Sequence, residues 1–307
     1  MSPDTQRSKG ITVAVGAAVI SGFAVFVNGL AVRRFDDATV YTTAKNLIAG
    51  AVLMIALVAT TTVSSSRRPA AVPRSAWPAL AVIALVGGAV PFVLFFEGLT
   101  RATSTNAAFI HKTLVIWVAI GAGVLLKERV TAVHIGAIAL LIVGHLMLTG
   151  GLGGATFGTA ELLVLGATLC WACEVVIVKH TLATVPYQSA AVARMVGGSA
   201  LLVGWLAIRG DLAALGGFDL SQWAWLAATG ATLAAFVGSW YRALALAPAI
   251  DVTAVLVLGA VITGLLNSGF RGVPLTVDSY GYVLIVLGAV GVAAQALRTP
   301  HPQRVRT

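Results

Sequence analysis

The sequence predicts an all-α membrane protein of ten transmembrane helices, arranged as two inverted five-helix repeats. Three observations predict it. Of 307 residues, 58% are hydrophobic and only 10% charged, and the mean hydropathy is +0.94. Soluble domains carry roughly 25% charged residues, so this chain has too little polar surface to coat a globule in water. Apolar runs long enough to cross a hydrocarbon core, about 20 residues each, follow one another with short connections. Finally, the two halves of the chain match one another in residue pattern.

The runs fall at 11–32, 40–62, 76–96, 104–126 and 131–150 in the first half, and at 158–179, 188–208, 222–246, 250–270 and 278–298 in the second. The flexible stretch Thr149-Gly150-Gly151-Leu152-Gly153-Gly154 separates them and sets the domains at 1–150 and 151–307. The first run is longer than a signal-peptide core and ends without a small-x-small cleavage site, so no cleavable signal is expected. Cys170 and Cys173 share one apolar run. They imply no disulfide framework, and without a second ligand pair their spacing reads as small-residue packing rather than a four-ligand metal site. With no phosphate-cradling Walker loop, neither cofactor nor metal is expected.

The net charge of +9 invites a nucleic-acid reading, but no soluble basic face exists to carry it, and no nucleic-acid partner is expected. Topology accounts for the charge. With the N-terminus inside, inner segments hold twelve cations (Arg7, Lys9, Arg67, Arg68, Arg74, Lys127, Arg129, Lys179, Arg242, Arg298, Arg304 and Arg306), and outer segments hold five (Arg33, Arg34, Arg101, Arg209 and Arg271). The positive-inside bias places both termini in the cytoplasm and the chain in the inner (plasma) membrane.

The halves register without gaps over short stretches. One offset sets Ser21-Gly22-Phe23-Ala24 on Cys170-Trp171-Ala172-Cys173 and Ala44-Lys45 on Ala193-Arg194. A second sets Phe96-Glu97-Gly98-Leu99 on Tyr241-Arg242-Ala243-Leu244, Val130-Thr131 on Leu275-Thr276, and Gly136 on Gly281. Five is an odd number of crossings, so the second copy enters the membrane inverted. Inverted repeats are a recurrent transporter plan with the substrate near the midplane.

These stretches resemble the EamA-type family of the drug/metabolite transporter superfamily. The resemblance is carried by Ala107-Ala108-Phe109-Ile110-His111-Lys112-Thr113, by Leu126-Lys127-Glu128-Arg129-Val130-Thr131, by Ile135-Gly136 and by Leu141-Ile142-Val143-Gly144. In the second half it is carried by Cys170-Trp171-Ala172-Cys173-Glu174, Ala245-Leu246-Ala247-Pro248-Ala249, Asp251-Val252-Thr253-Ala254, Gly281 and Gly288. Arg271-Gly272-Val273-Pro274 departs from the acidic turn of the first half. The resemblance implies export or exchange of amino acids and other metabolites, and a central cavity lined mainly by spans 1, 3, 4, 6, 8 and 9.

Ionisable groups at membrane depth cost about 2.5–3.5 kcal/mol on insertion scales and normally face a partner or a wet cavity. Lys45, Lys112, Glu161, Glu174 and Arg194 qualify. At 1.5 Å per residue, Glu174 and Arg194 lie about 8 Å and about 6 Å inward of the midplane on consecutive helices. One reading is a structural ion pair; the other makes Glu174 a proton-sensitive gate or a ligand for a substrate amine. Lys45 is a third member of this coupling or structural set. In span four, polarity stops at mid-membrane after His111-Lys112-Thr113. Lys112 could hold a carboxylate or phosphate and His111 could titrate. Alternatively Lys112 pairs with Glu161 or Glu97 and His111 is a packed residue. Trp171, one turn from Glu174, is a candidate cavity wall, with Phe96 and Tyr241 among the aromatics nearby.

The expected activity is alternating-access export of a small metabolite, amino-acid-like or a carboxylate, with protons as candidate coupling ion. The expected partners are a small-molecule substrate and the lipid bilayer, and the assembly a monomer or homodimer. An intramembrane enzyme acting on lipid-linked substrates, and a non-transporting sensor or subunit, are the alternatives. An enzyme is not expected, because the loops are short and the outer aspartates Asp36, Asp37, Asp211, Asp219 and Asp278 are scattered.

Overall fold

The computed structural model describes residues 3–63, 71–99, 101, 110–111, 113–148, 158–271 and 280–298. Among them there is no strand. The helices are α1 (Pro3–Ala31), α2 (Ala38–Val63), α3 (Trp77–Gly88), α4 (Val90–Leu99), α5 (Leu114–Val124), α6 (Ala132–Leu148) and α7 (Thr159–Thr181). They continue with α8 (Tyr187–Val192), α9 (Gly198–Arg209), α10 (Leu220–Leu246), α11 (Ala249–Leu256), α12 (Leu258–Arg271) and α13 (Tyr280–Arg298). Six helical stretches are long and apolar enough to cross a membrane: Thr5–Arg34, Ala38–Thr60, Arg74–Gly98, Thr159–Thr181, Tyr187–Arg209 and Ala249–Phe270. Helices α5, α6 and α13 are apolar but shorter. Helix α10 has 27 residues, about 40 Å at 1.5 Å per residue.

The bundle is apolar outside and partly polar inside. Ile55, Val124, Leu125, Ile208 and Phe270 are exposed, while Lys45, Asn46, Glu174, Arg194 and Asp251 are buried. Lipid is as apolar as leucine, so helices associate through close packing and polar contacts. Small residues supply the approach: Gly88 meets Gly198, Gly22 meets Gly259, and Gly144 meets the Gly281 carbonyl.

Residue contacts give the helix directions. α1 runs antiparallel to α10, with Gly10 against Ala247 and Gln222 donating to the Arg34 carbonyl at 2.8 Å. It runs parallel to α11 and α12: Arg7 meets Asp251, Thr263 donates to the Gly22 carbonyl and Phe26 meets Phe270. α7 repeats both relations in the other half. It is antiparallel to α3 and α4, through Gly98 against Val164 and Gly87 against Glu174. It is parallel to α5, through His111 against Trp171 and Gly121 against Val176.

Four rods are irregular. Pro91 has no N–H and crowds the carbonyl four residues back, and the third rod breaks at Ala89 (φ −125°, ψ −73°). Between α8 and α9, Ala193–Gly197 widens into a π-turn, a feature that frequently marks functional sites. The fourth rod of each half is interrupted, at Thr113, whose N–H donates to the Ile110 carbonyl, and at Val257, whose N–H donates to the Ala254 carbonyl.

Candidate functional site

The irregularities converge. The π-turn carries Arg194, whose Nε lies 2.7 Å from Glu174 Oε1. Its N–H is not aligned on that oxygen, and Arg194 Nε makes no hydrogen bond, so charge rather than hydrogen bonding holds the pair. The aligned donor is Tyr241 of α10, whose hydroxyl donates to the same Oε1 at 2.6 Å. Arg194 also reaches Met195 Sδ at 3.7 Å. Gly87 makes room for this arrangement: a Cβ there would overlap the Glu174 carboxyl group. The Gly87 carbonyl, released by Pro91, takes the indole N–H of Trp171 at 3.3 Å.

An aromatic wall stands on this frame. Phe92, Phe95 and Phe96 share one face of α4 through their i, i+3, i+4 spacing. The Trp171 ring lies 5.6 Å from both Phe92 and Phe95. His111, beside the interruption of the fourth rod, lies 5.0 Å from Trp171 and 5.4 Å from Phe95. Lys45 Nζ sits 5.8 Å from the Phe92 ring, 5.3 Å from Phe96 and 5.0 Å from Tyr41, within cation–π range. Arg194 Cζ is 5.9 Å from Phe92. Phe92 therefore lies near two buried cations. Lys45 donates to Asn28 Oδ1 at 2.9 Å, and the Tyr41 hydroxyl donates to the same oxygen at 2.7 Å.

Such a site can hold a flat or apolar group against the rings and an anionic group near the cations. Lys45 and Arg194 against Glu174 leave one positive charge in surplus.

The EamA-like transporter family model matches the chain twice, over residues 8–150 and 158–294. The chain belongs to the EamA-like transporter family. This EamA-like chain is thus a multi-pass membrane protein of a transporter family. A solved crystal structure superposes on it with a TM-score of 0.76, covering 94% of this chain and 99% of its own at 19% identity, a likeness of fold alone. No curated protein matches the chain.

The structure brings His111, Trp171, Glu174, Arg194, Tyr241, Phe96 and Lys45 into one connected neighbourhood. Lys112 lies outside the described residues. Lys45 is not a member of the ion pair: its ammonium is taken by Asn28 and by rings, because depth along a helix says nothing of rotation about its axis. The alternative partners for Lys112, Glu161 and Glu97, are among the described residues. Glu161 caps α7, accepting the Gly158 N–H at 3.0 Å, and Glu97 accepts from Arg101 at 3.2 Å. Cys173 is exposed rather than packed, and Cys170 half-buried.

Tyr41 and Asn28 were missed because neither is ionisable at neutral pH. A second polar cluster was missed too: Arg7, His134 and Asp251, near the start of α1 and at the starts of α6 and α11. Its signal was Asp251 three residues after Pro248, opening an apolar run, with His134 three residues after Thr131.

Proposed function

We propose that this EamA-like chain is a secondary transporter working by alternating access, built from ten spans as two inverted halves, 1–150 and 151–307, rocking about the Glu174 site. The observation that carries the reading is the convergence of the Pro91 break, the π-turn and the interrupted fourth rod on buried charges and rings. Discontinuous helices at mid-membrane are how transporters expose backbone and charge to a substrate. The six clear spans, the three shorter apolar helices and α10 support a count of ten. Exchanging each rod for its counterpart preserves the packing partners: α1 with α10, α11 and α12 answers to α7 with α4, α3 and α5. The directions of these pairs agree with inversion.

The substrate is a small metabolite carrying a carboxylate, amino-acid-like or an organic acid. The surplus positive charge of Lys45 and Arg194 over Glu174 supports the anion, and the Phe92, Phe95 and Trp171 rings support an apolar moiety. Efflux across the plasma membrane, with both termini cytoplasmic, accords with the Lys and Arg distribution and the family. The enzyme alternative would use Asp251 and His134, which are buried, 1% and 3% exposed.

Thermal-shift screening of purified protein against amino acids, organic acids and cationic drugs, followed by counterflow in proteoliposomes, tests the reading. An organic acid or amino acid is expected to raise the melting temperature and to exchange. Absence of flux for every compound with folded protein would sink it. Lys112→Ala should abolish flux with the fold retained; wild-type rates would remove Lys112 from the site.

A further inference from the structure

Asp251 opens α11 and is buried at the end of the bundle where α1 begins. Its Oδ2 accepts from Arg7 Nη2 at 2.8 Å and Nε at 3.1 Å. Its Oδ1 lies 2.8 Å from His134 Nε2. The other ring nitrogen, Nδ1, receives the Thr131 backbone N–H at 3.1 Å. A backbone N–H only donates, so Nδ1 carries no proton. The ring proton is on Nε2, donated to Asp251, and His134 is neutral. The Thr131 hydroxyl lies 2.9 Å from the same Nδ1 and is hydrogen-bonded to the Gln295 side chain of α13.

Beside this triad the Glu128 carboxylate accepts the Ala249 and Ile250 N–H groups at 2.8 and 3.1 Å. Lys179 of α7 donates to the Leu244 and Ala247 carbonyls at 2.6 Å each, and its charge acts on both Glu128 and Asp251. Arg7 and Lys179 balance Asp251 and Glu128, so the cluster is neutral as it stands. Its members come from both halves of the chain and knit them together at one end. At the matching offsets the other half carries Thr156, Val273, Asn106 and Ser279 where this cluster has Arg7, Glu128, Asp251 and His134. None of these four matched residues is charged.

We propose that the His134–Asp251 pair is the coupling-proton site of this transporter, and that a proton taken up there opens the seam between the halves at this end. The proposal rests on the transporter reading. A proton from water bonds to Nδ1, the one lone pair the ring presents. Two N–H groups, Nδ1 and Thr131, then face each other, and the first turn of α6 loses its partner. The cluster also gains one positive charge in a sealed interior, which is costly unless water enters. Admitting water means parting Arg7 and Asp251 from opposite halves. Glu174 is less suited to this role, since its Oε1 already holds Tyr241 and Arg194.

The test uses full-length protein in liposomes with Cys170 and Cys173 replaced by serine. Val118→Cys reports the seam: Val118 is fully buried on α5, in the apolar core that also holds Val175 and Val252. Labelling by a membrane-impermeant maleimide from the side of the N-terminus is divided by that of Arg129→Cys, an exposed reference, which cancels the thiol's own ionisation. Lowering the pH from about 8 to about 5 should raise the ratio at least about fivefold, the lower end of ordinary coupling. His134→Gln should make the ratio independent of pH. Arg7→Gln should reverse the sign, because a cluster one charge negative is neutralised, and its seam closed, by the same proton.

A flat ratio in the wild-type background would overturn the proposal, as would an unchanged pH response in His134→Gln. If His134→Gln does not fold, the Arg7→Gln sign decides alone: reversal supports the site and a wild-type sign rejects it. Absence of flux for every substrate would count against the transporter reading, while the labelling ratio would still decide the protonation site.

Discussion

Glu174 offers Oε1 to two groups of different kind, the Tyr241 hydroxyl and the Arg194 charge. Removing one partner of a buried pair costs about 3–5 kcal/mol; removing a hydrogen bond to a charged group costs about 1.5–3 kcal/mol. Arg194→Gln should therefore lower the melting temperature in detergent more than Tyr241→Phe does. The double exchange Glu174→Arg with Arg194→Glu should recover part of the loss. Equal melting of Arg194→Gln and wild type would show that the guanidinium serves a ligand rather than the fold. Gly87→Ala is a separate probe of the same carboxylate. Alanine favours a helix by about 1 kcal/mol over glycine, yet its Cβ would occupy the Glu174 position. Reduced thermal stabilisation by substrate is the expected result, and unimpaired binding would show that Glu174 has another seat. At this scale the sequence exposed the charges, because an ionisable residue in an apolar run stands out. It did not expose their neutral partners: Asn28, Tyr41 and the Gly87 carbonyl become visible only once α1, α2, α3 and α7 are laid side by side.

Asp37 shows how one side chain starts a helix and anchors it. Its Oδ1 accepts the Thr39 and Val40 N–H groups at 2.6 and 2.8 Å, capping α2, while Oδ2 takes Arg209 of α9 at 2.7 Å. Burial alone would raise its pKa; the Val40 N–H and the Arg209 guanidinium together outweigh it, and the carboxyl titrates below the ordinary 3.8. A lowered folded value means that the stabilisation is complete above the unfolded pKa and is lost as pH falls through the folded one. Asp37→Ala should cost about 0.5–2 kcal/mol as a lost cap near neutral pH. The gap from wild type should close as the buffer is taken below the carboxylate range. A pH-independent gap would assign the loss to packing instead. Among the elements, the run 76–96 reads as one continuous span, although Pro91 inside it carries a signal for the third-rod break, since a proline within an apolar run ends or kinks a helix. The π-turn at Ala193–Gly197 and the interruption at Val257 had no such herald. Both arise where one backbone crosses another closely, as Gly88 does against Arg194 and Gly198, and crossing is a tertiary event.

For the whole molecule, the direction of each rod is the quantity on which the central site depends. The internal match of the two halves made a repeat legible from the sequence, whereas the packing partners, α1 on α10 and α7 on α3 and α4, were not, because local pattern does not say which faces meet. The helix contacts make α1 antiparallel to α10 and α7 parallel to α10, the latter through Glu174 to Tyr241 and Lys179 to Leu244. The first rods of the two halves therefore run in opposite directions. Accessibility in a membrane can check this independently. With both native cysteines replaced, Arg129→Cys marks the turn after the fourth rod of the first half, and Val273→Cys the turn after the fourth rod of the second. If the halves are inverted, an impermeant thiol reagent added to intact cells should modify Val273→Cys and spare Arg129→Cys, and inside-out vesicles should reverse the pattern. The Arg and Lys excess near residue 129 over the turn at 271–274 sets which of the two faces the cytoplasm. Modification of both positions from one face would make the halves parallel and leave Glu174, Lys45 and Phe92 without a shared midplane. An inverted result with the two faces exchanged would keep the site and reverse only the direction in which substrate is expected to leave.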